Sequence, residues 1–223
     1  MVIPVITFPT AFIYPYSQLI IPEFSAYLAK KNYKSINYII NKIFKIISNF
    51  SFCICSIFWI FSNQIGLVIY NNVESSYYFK IMSPLIIFMY MDHIVDSVLK
   101  GLNRQFGVMV CNIIDLSITI CIMYFLLPLY GIKAYIFSLF FSEILNFCIS
   151  FYQMIKYSKI NVNIYDWLFK PLFCSLFSYI CILNLKFNFS NLSTYLISNI
   201  ILFIFYYLFF FIIFNKFYLL FKK

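Results

Sequence analysis

The chain has 223 residues, 64% of them hydrophobic and only 10% charged, with a formal net charge of +9 and a mean hydropathy of +0.91. A soluble domain carries about 25% charged residues, so these values exclude a globular enzyme with one anchor and point to a polytopic, all-α membrane protein. The positive balance does not indicate nucleic acid either: the lysines fall in short segments between apolar stretches, where they orient a membrane protein and attract anionic lipid.

Residues 3–29 read as the first span. Pro4, Pro9, Pro15 and Pro22 recur in it, and proline bends or breaks a membrane helix where neighbours satisfy the freed carbonyls. A moving wall and a plain kink both fit that spacing. No basic stretch precedes this apolar run and no small-residue cleavage site follows it, so no cleavable signal peptide is expected. Residues 30–45 carry Lys30, Lys31, Lys34, Lys42 and Lys45 interleaved with Tyr33, Ile36, Ile39, Ile40 and Ile43, a basic amphipathic pattern for the membrane surface.

The second span is expected over 44–70, followed by a polar turn at 71–78 that holds Glu74. The third covers 80–99 and ends in Lys100, Gly101, Leu102, Asn103, Arg104 and Gln105. The fourth, 106–127, is stopped by Pro128 and Gly131. The fifth, 133–155, contains Glu143 and Asn146. After 156–166 come a sixth span, 167–185, a polar connection at 186–193 and a seventh span, 194–214. Each is near the ~20 residues that a 30 Å hydrocarbon core requires.

Alternating the loops puts Lys30, Lys31, Lys34, Lys42, Lys45, Lys100, Arg104, Lys156, Lys159, Lys170, Lys216, Lys222 and Lys223 on one side, and Lys80, Lys133 and Lys186 on the other. The positive-inside rule makes the richer side cytoplasmic. The chain is then a multi-pass protein of the cell membrane with its C-terminus in the cytoplasm.

Asp92, Asp96, Asp115 and Glu143 lie inside hydrocarbon-length segments, where a charge costs at least ~2.5–3.5 kcal/mol. Asp92 and Asp96 are four residues apart and share a helix face; Lys100 is four further on. Asn112 precedes Asp115 by three residues and Asn146 follows Glu143 by three, so three successive spans each present a polar stripe, as helices lining a wet cavity do. Three readings of the acids stay open. They bind a cation or proton that drives transport, they pair with Lys100 or Arg104, or they face water near the membrane ends. Two carboxylates one turn apart repel when both are charged, which favours a shared proton or a bound cation. Lys100 and Arg104 stand at the cytoplasmic mouth, where they can dock a phosphate or serve only as orienting charge. Gly101 between them permits a tight turn or a helix end. His93 points away from Asp92, as a packing residue or a switch.

The seven cysteines fall mostly within apolar spans. With a single histidine and no C-x-x-C pair they read as small packing residues, and no metal site or other cofactor is expected. No Ser-His-Asp set and no phosphate-cradling glycine loop is present, so an enzyme is not expected. An aspartyl pair of Asp92 or Asp96 with Asp115 has nothing in its flanks to support it.

Three stretches carry a family resemblance. FPTAFIYPYSQLIIPEFSAYLAKKN resembles the segment opening the C-terminal half of stage V sporulation protein B-like flippases of polysaccharide and lipid-linked oligosaccharide. SPLIIFMYMDHIVDSVLKGLNRQ is similar to that family's Pro-Leu…Asp…Leu-x-Gly-Leu-x-x-Gln helix. NIIDLSITICIMYFLLPLYGIKAYIFSLFFSEILNFCIS resembles the following helix pair, with the Leu-x-Pro-x-x-Gly-Ile hairpin at residues 127–132. Taken in order, the resemblance extends over roughly residues 1–157 of a single transmembrane domain, 1–223, and leaves 158–223 as two additional helices.

The family lies in the multidrug/oligosaccharidyl-lipid/polysaccharide exporter superfamily, whose members carry two lobes of about seven helices each and work by alternating access. The resemblance implies the C-terminal lobe of a flippase of cell-wall precursors, its N-terminal lobe missing or supplied by a partner chain. The bilayer and a lipid-linked sugar would be its other partners. Lys100 and Arg104 would attract phosphate, and Asp92, Asp96, Asp115 and Glu143 would hydrogen-bond sugar or carry a coupling ion. A cation-coupled multidrug exporter and a non-transporting subunit of a cell-envelope assembly are the alternatives. The charge asymmetry predicts that a reporter fused after Lys223 is active only in the cytoplasm and one inserted at 71–78 only outside; the reverse pattern in a fusion assay overturns the topology.

Overall fold

A computed structural model describes residues 2–158, 160, 162–184 and 192–221, the side chains of 217–221 excepted. Lys159, Lys186, Lys222, Lys223 and the connection at 185–191 lie outside the described residues. Among those described there is no β-strand. The helices are α1 (Val2–Thr7), α2 (Thr10–Ala29), α3 (Tyr33–Ile60), α4 (Ser62–Tyr70), α5 (Val73–Met82), α6 (Leu85–Gly101), α7 (Gln105–Tyr130), α8 (Ile132–Ser158), a π-helical turn at Tyr165–Phe169, α9 (Lys170–Leu183) and α10 (Leu192–Phe221).

Five of the described segments are long and apolar enough to cross a membrane: Tyr33–Ile60, Gln105–Tyr130, Ile132–Ser158, Tyr165–Leu183 and Leu192–Lys216. The bent pair Val73–Met82 and Leu85–Gly101, which meet at 48°, makes a sixth if read as one broken span. Large apolar side chains are bare along α7, with Phe125 68% and Leu129 74% exposed; a hydrocarbon solvent removes the penalty that water would impose on them. This is the make-up of a membrane-embedded helical protein.

Of the seven spans expected from sequence, five or six are found among the described residues. Residues 3–29 are not one helix: the chain breaks at Phe8–Pro9 between α1 and α2, and neither helix is among the five. Pro15 and Pro22 remain inside α2. The basic segment 30–45 is not a separate surface helix. The Asn32 side chain accepts from the Ser35 N–H at 3.2 Å, a helix-start bond, and nothing interrupts the helix until Ile60. The isoleucines of that segment turn inward, with Ile36 and Ile40 fully buried. The span expected at 80–99 is divided at Ser83 and Pro84, proline supplying no N–H to continue α5. Pro128 does not stop α7. The helix runs through it to Tyr130, and Gly131 ends it with φ 56° and ψ −132°, a conformation open only to glycine.

The chain divides into two compact units. One comprises Met1–Ile6, Ser48–Ile86 and Asn163–Lys223; the other Thr7–Ile47 and Ile87–Val162. In the first, α4 folds back on α5 because Gly66 admits Ser76: a Cβ on Gly66 would stand 2.7 Å from the Ser76 backbone N. Phe58 stacks on Phe79 with ring centroids 5.8 Å apart, and the Tyr207 hydroxyl donates to the Asn49 carbonyl at 3.0 Å. Lys170 is buried, donates to Asn215 Oδ1 and sits over the Phe211 ring.

The second unit holds α2, the first part of α3, most of α6, and the α7–α8 hairpin. Its core is Phe24, Ile36, Ile40, Phe44, Tyr90, Ile94 and Leu99. α6 does end at Gly101, but the left-handed residue that turns the chain is Asn103, with φ 59°. Gly101 has a different duty. A Cβ there would stand 2.6 Å from Phe24 Cβ and 3.0 Å from the Ile21 carbonyl oxygen, and the Ser25 hydroxyl donates to the Gly101 carbonyl at 3.2 Å. Glycine lets α2 and α6 touch backbone to backbone.

Two substitutions test this. Gly101→Ala should destabilise the purified protein by about 1–3 kcal/mol through overpacking against Phe24, and Gly131→Ala by about 1–3 kcal/mol through backbone strain alone. Thermal unfolding in detergent reads both; an unchanged midpoint for Gly101→Ala removes the close approach of α2 and α6.

Candidate functional site

All six residues singled out from sequence fall in the second unit. On α6, the helical period sets Asp92 and Asp96 one turn apart on one face. Both are half-buried, among Tyr90, Ile94, Val95 and Leu99, which are buried. On α7 the same period aligns Asn112 with Asp115; on α8 it aligns Ser142 and Glu143 with Asn146. The hairpin at Gly131 makes α7 and α8 antiparallel neighbours, so Asp115 meets Ser142 and Asn112 meets Asn146 across it.

The contacts form a seam. Ser142 Oγ donates to Asp115 Oδ1 at 2.6 Å. Asn146 Nδ2 donates to Asp92 Oδ2 at 3.1 Å and lies 3.4 Å from Asn112 Oδ1. One amide therefore ties α6, α7 and α8 together. Further along the hairpin, Gln153 Nε2 donates to Cys111 Sγ at 3.1 Å. Asp92 lies within electrostatic reach of Asp96, Glu143, Asp115 and Lys100. Among the described residues no salt bridge joins these acids to Lys100 or Arg104, so the ion-pair reading is not what the structure adopts. Arg104 lies instead over the Tyr157 ring, 3.8 Å from its centroid. Lys100 occupies the last turn of α6.

The seam is incompletely satisfied within the protein. Asp92 Oδ1, Asp96 Oδ1, Asn146 Oδ1, Thr119 Oγ1 and Ser150 Oγ are buried with no hydrogen-bond partner. A buried polar atom without a partner is destabilising by about 1–3 kcal/mol, more for a charged one. Protons, water or a polar solute would relieve it. Among the described residues no group of three or more His, Cys, Asp and Glu side chains is placed to hold a metal ion.

Ser142, Ser150, Gln153 and Tyr157 did not stand out in the sequence. With Asn146 they recur at four-, four-, three- and four-residue steps and so line one face of α8. That spacing was the available signal.

The helices and the seam define a membrane-embedded helical protein with a polar interior track. Comparison with protein-family models, with curated proteins and with solved structures finds no match to this chain. The flippase resemblance therefore rests on the residues that carry it.

Asn146→Ala removes both bonds of the shared amide and leaves Asp92 Oδ2 without its donor. It should destabilise the protein by about 1–3 kcal/mol, with Asn146→Gln intermediate. Equal stability of Asn146→Ala and the parent in detergent denaturation would show that the three helices are not tied there.

Proposed function

We propose that the helices of the second unit form one wall of a membrane exporter whose cargo has a hydroxyl-rich, phosphate-bearing head, the class of the lipid-linked oligosaccharides. The observation that carries this reading is the Asp92–Asn146–Asn112 junction with its unpartnered buried oxygens. Carboxylates and amides that keep acceptors unused at bilayer depth are suited to a solute that brings donors, as sugar hydroxyls do. The three stretches resembling stage V sporulation protein B-like flippases supply the cargo class and the expectation of alternating access. In this reading Asp92, Asp96, Asp115 and Glu143 meet the sugar or a coupling proton, and Lys100 and Arg104 draw the phosphate from the cytoplasmic side. A second lobe, in a partner chain or elsewhere in the same protein, closes the passage.

One observation favours a second reading. Among the described residues, the four carboxylates on neighbouring helices have no basic partner at ion-pair distance, which also suits a cation and points to a cation-coupled multidrug exporter of the same superfamily.

Proteoliposomes holding the complete assembly separate the two. Asp92→Asn should slow flipping of a fluorescent lipid-linked oligosaccharide at least ~10-fold, a loss of ~1.4 kcal/mol of transition-state stabilisation. Lys100→Gln with Arg104→Gln should slow the same cargo while sparing a cationic dye. Dye efflux without oligosaccharide flipping supports the exporter of cations, and unchanged flipping in Asp92→Asn removes the seam from the mechanism.

A further inference from the structure

At the end of the α7–α8 hairpin remote from Gly131 lies a cavity of about 510 Å³, whose lining includes Arg104, Phe106, Ile149, Tyr152, Lys156 and Tyr157. Its charged residues are Arg104 and Lys156, and no acidic side chain lines it. Both cations address one ring: the Arg104 guanidinium is 3.8 Å from the Tyr157 centroid and Lys156 Nζ 6.0 Å. A guanidinium held over a ring can still fork its N–H groups onto an anion. α7 starts at Gln105 with no side-chain cap, so its first-turn N–H groups face the same end. Gly107 keeps that turn close to α8, since a Cβ there would stand 2.8 Å from Gln153 Oε1.

Beside Asn103 and Gln153, part of the wall is apolar. Phe106 is 74% and Tyr152 66% exposed, and Ile149 continues the surface along α8. The segments that meet here, Gln105–Tyr130 and Ile132–Ser158, are both of membrane-spanning length. Their shared end, 26 or 27 residues from the hairpin tip, therefore falls at headgroup depth.

We propose that this cavity holds the headgroup of an anionic bilayer phospholipid, its phosphodiester on Arg104 and Lys156 and its acyl chains along Phe106 and Tyr152. The apolar walls distinguish this ligand from a free phosphate ion, which would have no use for them. The inference needs only that the hairpin be embedded; it does not depend on the transport reading.

Native mass spectrometry of the full chain, released from micelles doped with equal phosphatidylglycerol and phosphatidylcholine, tests it. One phosphatidylglycerol should be retained in preference to phosphatidylcholine. Arg104→Gln or Lys156→Gln should each weaken retention roughly fivefold and the pair roughly 25-fold, as expected for ~1 kcal/mol per basic residue at a lipid surface. Tyr157→Phe keeps the ring and should retain the lipid; Tyr157→Ala should not. Circular dichroism confirms that each variant is folded. Equal retention of the two lipids, retention unchanged in the folded double variant, or displacement by inorganic phosphate at the same concentration overturns the proposal.

Discussion

A single amide holds the polar interior together. Asn146 bonds to Asp92 on α6 and reaches Asn112 on α7, and it does so inside helices whose outer surfaces are apolar. In water this side chain would be one donor among many. In hydrocarbon there is no competing partner, so the bond decides which faces of three helices turn inward. Asp115 follows the same constraint through Ser142. Once these residues face each other, Phe125, Leu129 and their neighbours on α7 are left to face lipid.

The middle of the α7–α8 hairpin and its end remote from Gly131 are chemically unlike. Toward the interior lie carboxylates, amides and unpartnered acceptors; toward the end at Arg104 and Lys156 lie cations on an aromatic ring. Between them run Asn146, Ser150, Gln153 and Tyr157 on one face of α8. In the exporter proposed above, a cargo with a phosphate and hydroxyls would meet cations first and acceptors afterwards.

Some of this was legible before any coordinates. Asp92, Asp96, Asp115 and Glu143 stand out because an acid in an apolar run is expensive, and their gathering in one unit follows from helical period. The hairpin at Gly131 was readable from glycine, although Pro128 misled: a proline in the last helical turn breaks little. Ser142, Ser150 and Gln153 were hidden because serine and glutamine raise no alarm singly. The role of Gly101 was hidden because close approach to Phe24 depends on a residue 77 positions away. The long α3 was missed for a local reason. Five lysines over 30–45 suggest a surface segment, whereas a helix ignores charge if one face finds a core and the other finds solvent.

The hairpin at Gly131 also bears on how such a chain reaches its place. Two antiparallel spans joined by one glycine begin and end on the same face, so they add nothing to the parity of the chain. Whatever follows Ser158 inherits the sidedness set before Gln105. The pair can be late to insert without reversing its neighbours.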